Sequence, residues 1–233
     1  MADKEKNKTL LHLAIIPDGN RRWAKSKGLV ATEGHRKASS KKHIEELFNE
    51  ARKLGVKYLS FWGFSTENWN RDKKEIDEIF NLVLNAAKEW RKDIEKNKIR
   101  FIHIGRKDRL PKNLSDELAK LEEETRNYSD FFVLICLDYG GRDEILRAVN
   151  TILKSGKKEI SEDEFKQYLD TKDIPEPDLI IRTGGEMRLS GFLPFQSVYS
   201  ELYFTKVYFP DFDACELRAA VEDYKKRTRR FGR

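Results

Sequence analysis

Three short stretches concentrate the residue types that handle phosphate and divalent metal. In the first, Asp18, Gly19, Asn20, Arg21 and Arg22 follow an apolar run at residues 11–16. A carboxylate suits a hard cation that bridges to phosphate oxygens. A glycine lets backbone N–H groups approach a ligand closely, and guanidinium forks match phosphate geometry. The second stretch holds Ser65, Glu67, Asn68 and Arg71, and the third holds Arg182, Glu186, Arg188 and Ser190. Together they read as a polyanion site with a divalent cation, because magnesium uses one or two carboxylates plus substrate phosphates. Each stretch alone also fits a plainer role. Residues 18–22 suit a βα turn with Asp18 capping a helix and the arginines solvated. Residues 182–191 suit a surface loop, and Trp69 suits a cover over the core.

The elements that must position these stretches alternate in character along the chain. Short apolar runs at 11–16, 56–61, 99–104, 131–137, 178–181 and 202–208 read as strands. Helical periodicity covers 35–54, 71–96, 111–126, 143–153, 161–169 and 213–227. Gly55 suits a C-cap, and Ser161 with Glu164 suits a capping box. The 71–96 helix carries apolar residues on more than one side, since Leu82 and Leu84 fall off its main stripe. Buried strands alternating with helices predict an α/β domain with a mainly parallel sheet, flanked by helices. In such sheets ligands bind beyond the carboxyl ends of the strands, where all three stretches fall.

Composition narrows the function classes. At 233 residues and 39% hydrophobic content the chain supports one domain, expected over 11–233 after a flexible segment at 1–10. No apolar run approaches the roughly 20 residues of a spanning helix. The net charge of +6 favours anionic partners. Cys136 and Cys215 lack paired spacing, and Cys136 lies inside an apolar run, which fits a buried thiol and a cytoplasmic protein without a zinc site. Phosphate-loop and dinucleotide motifs are absent. Among the four histidines, His12 and His103 sit in strands and read as structural, and His43 reads as a helix-surface residue. His35, after Gly34 near the first stretch, stays open between structural and functional roles.

Residues 14–25, Gly34-His35, and residues 64–71, 138–142 and 182–204 resemble, in order, the signature segments of the cis-prenyltransferases, the family of undecaprenyl and dehydrodolichyl diphosphate synthases. The likeness runs from about residue 12 to 232. It implies a six-stranded sheet, an elongated apolar tunnel for the growing chain and a homodimer. The apolar face carrying Leu82, Leu84 and Trp90 would suit a tunnel wall, and ordinary core is the alternative. The implied reaction condenses isopentenyl diphosphate onto an allylic diphosphate, typically farnesyl diphosphate, with Mg2+ as cofactor and transient membrane contact on product release.

By the same resemblance, Asp18 binds Mg2+ and promotes diphosphate departure. Gly19, Asn20, Arg21 and Arg22 cradle the allylic diphosphate, with Trp23 and His35 beside it. Ser65 and Asn68 serve the isopentenyl proton step, while Phe64, Trp69 and Arg71 shape and bind. Arg182, Arg188 and Ser190 hold isopentenyl diphosphate. Glu201 is a second metal contact from the partner subunit, and Arg230-Phe231-Gly232 resembles a segment that completes the neighbouring site.

Two positions depart from the family pattern. Ala31 stands where many relatives carry arginine, so a phosphate contact is missing or comes from Arg36 or Arg21. Leu193-Pro194-Phe195-Gln196 replaces a Leu-Leu-Trp-Gln segment, which puts the local tunnel shape in question. Gly63 is small enough to leave room near the tunnel mouth. Two rival readings are a non-catalytic subunit of a heteromeric enzyme and a nucleic-acid-binding protein. Retention of Asp18, Asn68, Arg182 and Arg188 argues against the first. The carboxylates beside the arginines argue against nucleic acid as a partner.

Overall fold

The computed structural model describes residues 10–227. The expected segments at 1–9 and the 230–232 segment lie outside the described residues, whereas Leu10, expected in the flexible end, is buried. Six strands form one sheet in the order β3-β4-β2-β1-β5-β6, and every neighbouring pair is parallel. The strands are β1 His12–Ile16, β2 Tyr58–Ser65, β3 Ile99–Ile104, β4 Phe131–Tyr139, β5 Leu179–Arg182 and β6 Glu201–Phe204. β1, fully buried, lies centrally between β2 and β5. The chain leaves β1 towards β2 and leaves β5 towards β6, so the crevice between β1 and β5 is the topological switch point.

The described helices are α1 Asn20–Ser26, α2 Ala31–Ala38, α3 Lys41–Lys53, α4 Lys73–Glu89, α5 Arg91–Lys96, α6 Lys112–Glu124, α7 Gly141–Lys154, α8 Glu162–Lys166 and α9 Ala214–Lys226. Two expected helices are each divided. The 35–54 segment breaks at Ser39-Ser40, where Ser39 Oγ donates back to the His35 carbonyl (2.9 Å) and Ser40 turns extended to start α3. The 71–96 segment starts after a 3-10 turn at Thr66–Asn70 and divides at Trp90. β6 ends at Phe204, short of the expected 208. The Ser161–Glu164 capping box forms as expected.

The histidines are all buried or nearly so. His12 donates through Nδ1 to the Pro175 carbonyl (2.6 Å) and accepts from Ser60 Oγ at Nε2 (2.7 Å). His103 bonds the Leu137 carbonyl. His43 corrects the expectation of a surface residue: it is buried and packs edge-on to Phe209, with ring centroids 5.1 Å apart. It lies on the inner face of α3 with Ile44 and Leu47. Cys136 is a buried free thiol.

One face of the sheet, built from Phe61, Gly63, Phe101, Val133 and Ile135, floors a cavity of about 170 Å³ under α2, α3 and α4. These residues alternate along their strands, as a one-faced lining requires. A register shift in the β2–β4 ladder leaves Gly63 between paired Trp62 and Phe64, so the strand bulges where it faces the cavity.

Candidate active site

Asp18 sits two residues beyond β1, and Arg182 closes β5 opposite Ile16. Thr183 fixes the Asp18 backbone from both sides. The Asp18 N–H donates to Thr183 Oγ1 (2.9 Å), and the same hydroxyl donates to the Asp18 carbonyl (2.7 Å). Gly19 follows at φ +99°, and a Cβ there would lie 2.5 Å from the Tyr208 ring. Both facts require glycine. Gly19, not Asp18, occupies the N-cap of α1, so the plain capping role is not what the carboxylate does.

The Asp18 carboxylate is held by cations. Oδ1 accepts from the Gly19 N–H (2.6 Å) and Arg22 Nη2 (3.2 Å), and Oδ2 accepts from Arg182 Nη2 (2.9 Å). Arg22 also reaches Glu186 Oε1 (3.2 Å) and lies over the Tyr208 ring. Arg182 is buried. Its Nη1 donates to Ser190 Oγ (2.8 Å) and to the Arg188 carbonyl, and its Nε–H has no partner. Arg188 is largely exposed and pairs with Glu186 (2.6 Å).

A polar cavity opens beside Asp18, lined by residues 17–22 with His35 and Arg71. His35 Nε2 and Arg71 Nη1 both reach Glu75 Oε1, at 3.4 and 3.0 Å. Burial, and then the nearby Arg71, push the His35 pKa down, and Glu75 opposes them. Arg21 lines this cavity. Arg36 pairs with Glu33 and Glu78 and does not line this cavity.

The two cavities meet. Pro17, Asn20 and His35 line both. The second is almost wholly apolar, walled by Ile79, Leu82, Val83, Ala86 and Trp90 of the α4–α5 segment. Leu84 does not belong to this wall: it turns away beside Phe80 and Leu114 of α6. At about 170 Å³ the space exceeds by an order of magnitude what a buried water needs, and its lining gives water few partners. Pro194 and Phe195 lie elsewhere, against Gly141 and Phe165, so that departure does not touch the cavity.

Of the second stretch, Arg71 lines the polar cavity, whereas Ser65, Asn68 and Trp69 line neither cavity. Ser65 and Asn68 form a capping box, in which Asn68 Oδ1 accepts from the Ser65 N–H (3.1 Å). Trp69 donates to Asp138 Oδ1 (2.8 Å) and packs on Phe64 and Phe80. Asp138 is itself buried and clamped by Arg109. Phe64 is core, and neither it nor Trp23 lines either cavity. Glu201 begins β6, opposite Leu179, at the far end of the sheet from Asp18, and pairs with Arg227 (3.1 Å). Within one chain it does not reach Asp18.

Asp18 supplies one partly exposed carboxylate at the cavity edge. Among the described residues no group of three or more His, Cys, Asp or Glu could hold a metal by itself. This donor set fits Mg2+ that arrives with diphosphate oxygens, which complete its shell. Three residues of the site escape reading in sequence: Thr183, Tyr208 and Glu75. Only Glu75 carried a signal, four residues after Arg71 in the first turn of α4.

The family model described as "Putative undecaprenyl diphosphate synthase" matches residues 16–232. An isoprenyl transferase of Fusobacterium nucleatum is 49% identical over 221 residues, 95% of each chain. The crystal structure of lavandulyl diphosphate synthase from Lavandula x intermedia, in complex with dimethylallyl diphosphate, superposes with a TM-score of 0.91 at 35% identity, covering 97% of this chain and 99% of that one. The structure of a probable undecaprenyl diphosphate synthase from Campylobacter jejuni gives a TM-score of 0.81 at 32% identity, covering 97% and 100%.

Proposed function

The chain belongs to the undecaprenyl diphosphate synthase family and is an isoprenyl transferase, and we propose that it condenses isopentenyl diphosphate onto an allylic diphosphate, such as farnesyl diphosphate, to make a polyprenyl diphosphate. The observation that carries this reading is the junction at Pro17, Asn20 and His35 of a cation-lined cavity with a dry apolar one. A ligand that fits both at once has a phosphate head and a hydrocarbon tail. The neighbour from Lavandula binds such a molecule, dimethylallyl diphosphate.

In this reading Gly19, Asn20, Arg21 and Arg22 bind the allylic diphosphate, with His35 and Arg71 beside it. Arg182, Arg188 and Ser190 take the isopentenyl diphosphate across the β1–β5 crevice. The allylic C–O bond breaks, a C–C bond forms to the isopentenyl unit, and that unit loses a proton. Guanidinium groups aimed at the leaving diphosphate stabilise the charge that develops there. Mg2+ held by Asp18 would add to that neutralisation when bound. The apolar cavity keeps water from the allylic cation. Ser65 and Asn68 orient the isopentenyl unit for proton loss.

A homodimer belongs to the same proposal. The outer face of α7 leaves Leu146, Val149 and Leu153 exposed, which suits a surface that a second copy covers, and Glu201 of that copy is proposed as the further metal contact. Transient membrane contact would serve product release. No described helix is long and apolar enough to cross a membrane.

The test incubates purified protein with labelled isopentenyl diphosphate and farnesyl diphosphate, with Mg2+ or EDTA, beside Asp18→Ala. Mg2+-dependent labelled polyprenyl products, lost in the variant, are expected. No incorporation with several allylic starters, from folded protein, would overturn the reading in favour of a non-catalytic partner subunit.

A further inference from the structure

Glu75 is a side chain that the proposed chemistry does not use, yet two arginines and a histidine converge on it. Its Oε1 lies 3.0 Å from Arg71 Nη1, 3.4 Å from His35 Nε2 and 3.9 Å from Arg21 Nε. The three come from separate parts of the chain: α1, α2 and the segment before α4. The carboxylate is only 11% exposed and does not line the polar cavity, whereas Arg21, His35 and Arg71 all do. It therefore stands behind the groups that face the ligand.

The donors it engages are informative. It accepts a hydrogen bond from one terminal nitrogen of Arg71 and lies at ion-pair distance from the inner Nε of Arg21, which leaves the remaining guanidinium donors free for another anion. Two guanidinium groups held this close repel each other unless an anion lies between them. We propose that Glu75 is a positioning residue for the diphosphate site: one carboxylate that gathers Arg21, His35 and Arg71 into a single preformed anion receptor. This rests on the proposed function, since it names the anion as the allylic diphosphate head. A group that acts only by holding the receptor raises KM for the allylic substrate more than it lowers kcat.

Inorganic pyrophosphate binding by calorimetry, without Mg2+, is the probe. Wild-type protein is expected to bind, and Glu75→Gln and Glu75→Ala to bind on the order of tenfold more weakly or worse. Arg71→Gln should weaken binding too, and the Glu75→Gln/Arg71→Gln double variant should lose less than the sum of the two. Tighter or unchanged binding by folded Glu75→Gln would overturn the inference and make the carboxylate a competitor of the ligand or a bystander. Strict additivity in the double variant would overturn it as well. Unfolding curves identify a variant that fails to fold, and Glu75→Gln, of the same size, is the one to judge by if Glu75→Ala does. Absence of binding by the wild type would instead count against the functional reading itself.

Discussion

Arg182 closes on Asp18 with Nη2 2.9 Å from Oδ2, across 164 residues of sequence. The contact follows from the sheet order: β1 and β5 are neighbours, and their register sets Ile16 beside Arg182. The same guanidinium holds Ser190 and the Arg188 carbonyl, so one buried cation ties the first-strand carboxylate to the 186–190 loop. The Asp18 carboxylate is paired with two guanidinium groups, those of Arg22 and Arg182.

Arg182→Lys should therefore cost far more than its conserved charge suggests. An ammonium is a point charge on a flexible stem and cannot span Asp18, Ser190 and a carbonyl together. Steady-state kinetics should give a fall in kcat/KM of about 100-fold, on the scale of losing a preorganised donor. A loss below threefold would show that the fork geometry is dispensable.

Gly19→Ala should both destabilise the fold and damage the site. Its φ of +99° and the Tyr208 ring 2.5 Å from the new methyl act together. The expected cost is about 1–3 kcal/mol by urea unfolding. Tyr208→Ala in the same chain should recover the steric part and leave the backbone part.

Asp138 links the Trp69 indole to Arg109, and the carboxylate is fully buried. Asp138→Asn keeps an oxygen for the indole N–H. Asp138→Leu removes both contacts and leaves the guanidinium unpaired. The leucine variant should lose about 3 kcal/mol, and its turnover should fall as the 3-10 turn with Asn68 loosens. The asparagine variant should keep most of its turnover. Urea unfolding and kcat on the two variants check this, and equal effects would contradict it.

Acidification should unfold this protein in a specific window. Burial lowers the pKa of His35, His43 and His103, and pushes His12 down from 6.5 to about 4. A histidine kept neutral in the fold binds fewer protons than its unfolded counterpart between those values, so stability rises with pH through the window and is lost as pH falls through it. For His12 the full loss is about 3 kcal/mol below pH 4. Unfolding free energies from pH 7 to 4 should follow that slope, and His12→Gln should flatten it.

Gly63 faces the apolar cavity from a bulge in β2. Gly63→Leu should fill space there, and a Cβ already meets the Leu137 Cδ2 methyl at 2.9 Å, which can move. The expected result is a shorter product in the chain-length assay, and products of unchanged length would count against it.

The alternation of strands and helices was legible because buried strands here are short apolar runs that end at Gly, Pro or Asp, signals carried within a few residues. Helix interruptions were not, since the Ser39 hydroxyl bonds back to the His35 carbonyl and Ser40 turns extended while the residues around them keep a helix-like pattern. His43 shows a second limit: periodicity marks a face, but only packing against Phe209 decides that this face includes the imidazole. Leu82 and Leu84 show a third, for both break the stripe, yet one lines the cavity and the other packs towards α6.

For the candidate site, sequence alone determined which residue types the strand ends deliver: a carboxylate, glycines and arginines in loops that a parallel sheet gathers on one rim. Tertiary structure alone decided who holds whom. That Thr183 fixes the Asp18 backbone, that Tyr208 demands Gly19 and that Arg21, His35 and Arg71 meet at Glu75 depend on strand order and helix placement. The physical reason is range. Propensity and periodicity act over a few residues, whereas charge pairing and close packing act between elements brought together only when the sheet assembles.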